Sequence, residues 1–393
     1  MTRERLSVLV FHSTQGSDNP LFHQGTMCKQ NGSASNAAAT ANGATRAADV
    51  HQSPPSQQAS VAHSRKICNA NPPWHTVAFI VLLLAHFTAK LPDCLSSMHD
   101  PVANRETFLH VNFPRLLTIR QVALVRLFLG SVMILDTLYA FFYGKWEQDT
   151  EYYYPHSRLK AVRGIHFRGY MYTGSIKSGL LTLSSFTMWS WTLEGITFVL
   201  LGGISLYLAA DTTDTSAEVP AWIYRVALIG WNICAPTSLL VSAIVKYVLW
   251  PMALEQGGNN SNVLKHPGAL LEHNWNVLSC LVEVALLGGL PIRYQDYIWS
   301  PLFGLVYVLH AYAVRQDWAP SEHGAQFQYP FLDTTLGWRT TACLLALLGV
   351  LTLSFGIFCG LDHFITETLD ERDLKAHLAA VWVIGAFVCR FRD

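Results

Sequence analysis

Six stretches of this chain run for 18 to 24 residues with no more than two charged side chains each: Val122 to Tyr143, Thr187 to Ala210, Val226 to Val245, His273 to Ile292, Tyr297 to Val314 and Thr340 to Leu361. A bilayer core of about 30 Å is crossed by about 20 helical residues, so runs of this length leave few folds open. In hydrocarbon every backbone N–H and C=O must be satisfied within the protein, which a helix does by itself. The expected fold class is all-α, a polytopic transmembrane helical bundle of about six spans. Two shorter runs, His75 to Ala89 and Ala376 to Cys389, fit a short span or an interfacial helix equally well and would raise the count to seven or eight.

Composition agrees. Charged residues are 14% of the 393, against about 25% in ordinary soluble proteins, and hydrophobic residues are 51%. Lys plus Arg (27) balances Asp plus Glu (27), so a nucleic-acid binder, which needs a net basic face, has no support. The expected setting is an endomembrane or the plasma membrane, and the expected partner is lipid or another apolar molecule. The eight cysteines form no CxxC pair, and five lie in or beside apolar runs, which points away from a disulfide framework or a zinc site.

Residues 1–73 are rich in Ser, Ala, Asn, Gln and His and read as a disordered tail without a signal peptide. Residues 74–116 read as a short apolar helix with a connector, 117–365 as the six-span domain, and 366–393 as a C-terminal segment with room for a short membrane helix. The loop from Gly144 to Phe186 carries Lys145, Arg158, Lys160, Arg163, Arg168 and Lys177, whereas Asp211 to Ala221 carries no basic residue, which favours a cytosolic first loop. Arg115, Arg120 and Arg126 at the other end of the first span pull against that orientation. The Asn259-Asn260-Ser261 sequon offers a check on the loop from Trp250 to Glu272, which lies on the same side as the basic loop.

Ionisable groups within a span are costly and are functional candidates by default. In the second span Thr187, Ser190, Glu194 and Thr197 fall on one helical face, and in the fourth His273, Asn276, Cys280 and Glu283 share another. One crossing separates the two spans, so both start from the same side, with Thr187 and His273 at similar depth. A Thr hydroxyl does not ionise near neutrality and needs a positioned base such as His to become a nucleophile. Taken alone, a first-turn Thr is more often a cap and an interfacial His is often simply hydrated. Glu194 and Glu283 could orient the His, hold a cation or sit protonated against a neighbouring span; structural or substrate-polarity roles are favoured. Asp136, Arg126, Asn232 and His310 fit interhelical hydrogen bonds better than chemistry. HExxH, GxSxG, Walker A and GxGxxG signatures are absent, and no metal or cofactor is expected.

Taken in order, Phe186-Thr187-Met188-Trp189-Ser190, then His273-Asn274-Trp275-Asn276 with Glu283, then Tyr329-Pro330-Phe331-Leu332-Asp333 with Gly337 and Arg339, resemble the androgen-induced protein family. That family includes the androgen-dependent TFPI-regulating protein and is similar to the rolling stone proteins of muscle fusion. The resemblance covers roughly Leu117 to Phe364. It implies a multi-span hydrolase of fatty acid esters of hydroxy fatty acids, with Thr187 as nucleophile and His273 as base. Ser190, Asn276 or backbone N–H groups near the start of the second span would then face the oxyanion. The loop before Thr187 and the N-terminal region are longer than in the animal hydrolases, and the TMWS stretch also resembles branches without established activity. The competing expectation is a non-enzymatic membrane protein, either a rolling-stone-like adhesion or fusion factor or a small-molecule transporter. A transporter should carry internal repeats and matched helix breaks; Pro236 and Pro301 interrupt two spans, but no repeat accompanies them.

Overall fold

The computed structural model describes residues 72–98, 103–144, 146–151, 171–210, 219–251, 264–265, 267–315, 337–370 and 373–390, with isolated positions 254, 329, 332 and 334. The N-terminal tail, the Asn259 sequon and most of the loop from Asp211 to Ala221 lie outside these residues.

The chain is an all-α polytopic bundle. Helix α1 spans Trp74–Ser97, the short α2 Arg105–Leu109, α3 Ile119–Tyr143, α4 Phe186–Ala210 and α5 Ala221–Leu249, whose last turn is a π-turn. Helix α6 runs through Pro267–Leu270, Leu271–Trp275, Asn276–Val282 and Glu283–Leu287 as one rod in which the second and fourth pieces are π-turns. Helix α7 is Trp299–Ala313, α8 Trp338–Thr368 and α9 Leu374–Val388. Five of these, α1, α3, α4, α5 and α8, are long and apolar enough to cross a membrane. A small antiparallel ladder, β1 (Trp146–Glu151) with β2 (Met171–Lys177), sits in the connection between α3 and α4, with Trp146 opposite Lys177 and an irregularity between Gln148 and Thr150. The apolar pattern alone did not foresee it.

Several helix boundaries differ from the sequence expectation, most plainly those of α1 and α6. Helix α1 extends past Ala89 to Ser97, with Lys90 and Asp93 pairing at 3.5 Å on its exposed side and Pro92 accommodated inside the helix. Helix α6 stops at Leu287 rather than Ile292. Gly289 adopts φ +61°, a conformation open to glycine, and the N–H groups of Gly288 and Gly289 both close on the Glu283 carbonyl at 3.2 and 3.0 Å. Helices α7 and α9 have 15 residues each, about 22 Å of rise, shorter than the hydrocarbon core.

Side-chain bonds at the helix ends define the two faces of the bundle. At one face His75 and Thr76 of α1 meet Thr341 of α8 at 2.6 and 2.7 Å, and Lys246 of α5 donates to the Ala386 and Phe387 carbonyls of α9 at 2.7 Å. At the other, Arg293 donates to the Ser97 carbonyl at 2.9 Å, and the Ile292 N–H donates to Asp362 at 3.2 Å. Successive helices therefore alternate in direction from α3 to α9. Helices α4 and α6 run parallel.

Helices α3 and α4 make the most extensive pairing in the fold. A methyl group placed on Gly130 would lie 2.7 Å from the Gly195 carbonyl oxygen, and one on Gly202 would lie 2.9 Å from that of Ala123. Between membrane helices, where lipid is as apolar as leucine, backbone approach of this kind supplies the packing contact that the hydrophobic effect cannot. Helix α5 is central, touching α4, α6, α7, α8 and α9, and its buried face is built from small residues such as Ala227, Gly230, Cys234, Ala235 and Ser238.

Candidate functional site

Helix α4 begins with its own cap. The Ser185 hydroxyl accepts from the Met188 N–H at 3.1 Å, and the Tyr329 hydroxyl accepts the Phe186 N–H at 3.3 Å. These bonds satisfy N–H groups that a helix start leaves open, so the cap role belongs to Ser185 and not to Thr187. From α7, Tyr307 donates to the Ser184 carbonyl at 2.9 Å, and His310 packs on Trp189 with ring centres 4.7 Å apart. The first turn of α4 is held from three directions.

Thr187, Trp191 and Glu194 recur at i, i+4 and i+7 and share the face of α4 that looks toward α6. Buried Glu194 accepts from Ser279 of α6 at 2.5 Å, with the Cys280 thiol at 3.4 Å from the same oxygen. The helices are parallel, so stepping back seven residues on each, about 10 Å, brings Thr187 level with Glu272 and one residue from His273. Helix α4 indeed packs against the turn Leu271–Trp275 that carries both. Among the described residues no hydrogen bond joins Thr187 to His273. The His273 Nδ1 atom is buried and unpartnered.

His273 stands in a π-turn, seven residues into α6 rather than in its first turn, because the helix starts at Pro267. Such turns break the regular i to i−4 ladder and recur at functional sites. Its carbonyl oxygen accepts from Ser242 of α5 at 2.5 Å, and the same hydroxyl lies 3.0 Å from Asn276 Oδ1. Asn276 Nδ2 remains buried without a partner. Around this turn two further buried groups are unspent: Trp275 Nε1, and Trp191 Nε1, which faces the Asp136 carboxylate of α3 without closing a hydrogen bond. Glu272 lies within electrostatic reach of the same Asp136.

The six residues singled out from the sequence thus separate into two groups. Glu194 meets α6 through Ser279 and Thr187, two turns earlier, lies level with the turn that carries His273, while the His273 carbonyl and Asn276 both meet Ser242 of α5. Ser190 turns to α5 instead, sharing a 3.0 Å hydrogen bond with Thr237. Glu283 lies deeper, in a fully buried ion pair with Arg126 of α3, whose Nε donates to it at 2.9 Å and whose Nη1 donates to Ser205 of α4 at 2.6 Å. That pair ties α3, α4 and α6 together near the opposite face. Glu272, next to His273 in the same turn, lies within electrostatic reach of Asp136, which Trp191 faces; Glu272 reads in the sequence as the last loop residue before an apolar run. Among the described residues no cluster of three or more His, Cys, Asp or Glu side chains could hold a metal ion. The apolar hollow lined by Ile80, Leu83, Gly304, Val308, Leu344 and Leu351 lies elsewhere, among α1, α7 and α8.

No protein family, curated protein or solved structure matches the chain. The chain is an integral membrane protein by its helices.

Proposed function

We propose that this protein is an integral-membrane lipid ester hydrolase that uses Thr187 as nucleophile and His273 as general base. The observation that carries the reading is the register of two parallel helices, which brings the Thr187 hydroxyl to the level of the π-turn holding a buried imidazole with an unspent nitrogen. The resemblance of the motifs around these residues to the androgen-induced protein family supports the same pair and suggests branched fatty acid esters as substrates.

In this scheme His273 takes the proton of Thr187 as its oxygen attacks the ester carbonyl. Collapse of the tetrahedral intermediate breaks the ester bond, and the proton passes from His273 to the departing hydroxy fatty acid. Water, deprotonated by His273, then attacks the acyl-threonine; the second fatty acid is released as the proton passes from His273 back to the Thr187 oxygen. The unspent Asn276 Nδ2 suits the oxyanion better than Ser190, whose hydroxyl is engaged with Thr237. Substrate enters from the bilayer, an endomembrane or the plasma membrane, with its acyl chains remaining among apolar walls.

The test is hydrolysis of a fatty acid ester of a hydroxy fatty acid by membranes carrying the wild-type chain, Thr187→Ala, Thr187→Ser or His273→Ala at matched abundance. Loss of a general base removes about 10²- to 10⁴-fold. The expected result is activity in the wild type, a residue of it in Thr187→Ser and none above background in the two alanine variants. Wild-type membranes inactive on a panel of lipid esters would remove the hydrolase reading in favour of a non-enzymatic role.

A further inference from the structure

Helix α9, with Cys389 and Arg390 at its end, falls outside the stretch that carries the family resemblance, yet it is built onto the turn that holds His273. The Asn274 side chain and the Arg390 main chain exchange two hydrogen bonds, each 2.9 Å: Asn274 Nδ2 donates to the Arg390 carbonyl, and the Arg390 N–H donates to Asn274 Oδ1. Asn274 is buried and adjoins His273 directly. The Cys389 thiol lies 3.6 Å from the Asn274 carbonyl oxygen. The Arg390 guanidinium stacks on the Trp250 ring with 4.0 Å to its centre and donates to the Leu264 carbonyl, so it bridges the end of α5 to the chain entering α6. Lys246 and Tyr247 of α5 close the last carbonyls of α9. Arg390 also lies within electrostatic reach of the His273 ring.

The π-turn interrupts the regular helical ladder at His273, and contacts from outside α6 hold this turn. His273 is gripped on one side through its carbonyl by Ser242 and on the other through Asn274. We propose that Arg390 is a positioning residue for His273, and that the end of α9 is therefore a working part of the candidate site. For catalysis this rests on the Thr187 and His273 reading; for the geometry of His273 it does not.

The experiment reads both. Membranes expressing wild type, Arg390→Ala, Arg390→Lys and Asn274→Ala are treated with diethyl pyrocarbonate, and the modification rate of His273 is followed by mass spectrometry beside the hydrolysis kinetics. Replacing Arg390 with alanine keeps the main-chain bonds but removes the guanidinium bridge. The expected result is a several-fold change in the labelling rate of His273 in Arg390→Ala, partly restored in Arg390→Lys. A small misplacement of a reacting group can lower kcat by up to about 100-fold, here with KM held. Asn274→Ala, which cuts the clamp from its other half, should reproduce both effects and decides the matter if Arg390→Ala does not accumulate. Labelling and kcat unchanged from wild type in the accumulated variants would overturn the proposal. A shifted labelling rate in membranes that hydrolyse no ester in any form would uphold the positioning role and remove the hydrolase reading.

Discussion

Glu194 of α4 accepts a hydrogen bond from Ser279 of α6 at 2.5 Å, in a register that leaves Thr187 level with the His273 turn. The second Glu194 oxygen has no partner among the described residues, and the first takes both the Ser279 hydroxyl and, at 3.4 Å, the weaker Cys280 thiol. Ser279→Ala leaves this buried acceptor with only the weak thiol donor of Cys280, at a cost of up to about 1 to 3 kcal/mol. The thermal midpoint of the detergent-purified protein should fall, and ester hydrolysis should fall with it. Unchanged values of both would show that the α4 to α6 register has another origin.

The Arg126 to Glu283 pair should behave in the manner of a buried charge pair and not of a catalytic one. Both side chains are fully buried, and Ser205 satisfies a further guanidinium donor. Removing either partner alone strands a charge in a low-dielectric interior, typically about 3 to 5 kcal/mol, whereas replacing both by apolar residues of similar volume is often near neutral. Arg126→Met and Glu283→Leu should each reduce accumulation in the membrane strongly, and the double variant should regain much of it. A double variant as poor as the singles would mean that the pair contributes hydrogen bonds no apolar packing replaces.

Gly130 allows α3 and α4 to approach until a methyl group in its place would meet backbone atoms of Gly195 and Val199 at 2.7 Å. Backbone cannot swing aside as a flexible side chain can. Gly130→Leu must push the helices apart and should cost at least the 1 to 3 kcal/mol of ordinary overpacking, roughly, since the pairing is the most extensive in the fold. Gly203→Leu is the control, because a Cβ there meets nothing within 4 Å. Equal losses of folded protein in the two variants would argue against close packing at Gly130.

The helices were legible in the sequence to different degrees, and the reasons are local. Helix α4 was expected over Thr187 to Ala210 and is found over Phe186–Ala210, because its run has a single ionisable residue and no glycine or proline at either edge. The far end of α6 was overestimated, since Gly288, Gly289, Leu290 and Pro291 count as apolar in a hydropathy window while breaking a helix as backbone. The shared faces of Thr187 with Glu194 and of His273 with Asn276 follow from helical period alone. Their partners do not. Arg126 meets Glu283 across 157 positions and Asn274 meets Arg390 across 116, and nothing local in either stretch announces such a pairing. Ser185 could have been recognised as the cap of α4 from its place three residues before Met188, which would have freed Thr187 from that role at the outset.

Helix α1 provides the sharpest test of the membrane arrangement, because the sequence left open whether this segment crosses or lies at the interface. Its 24 residues reach from Thr341 at one face, through the bonds of His75 and Thr76, to Arg293 and Asp296 at the other, through Ser97. Helix α8 begins at the first of those faces, and the Arg293 to Asp296 turn links α6 and α7 at the second, so a span is required if those helices cross. In a cysteine-free background, Trp74→Cys and Ser96→Cys occupy exposed positions at opposite ends. An impermeant maleimide applied to sealed cells or oriented vesicles should label one of them, and the other only after permeabilisation. Labelling of both from the same side would place α1 flat at the interface, and the hydrogen bonds joining it to α8 and to the α6 to α7 turn could not then exist together.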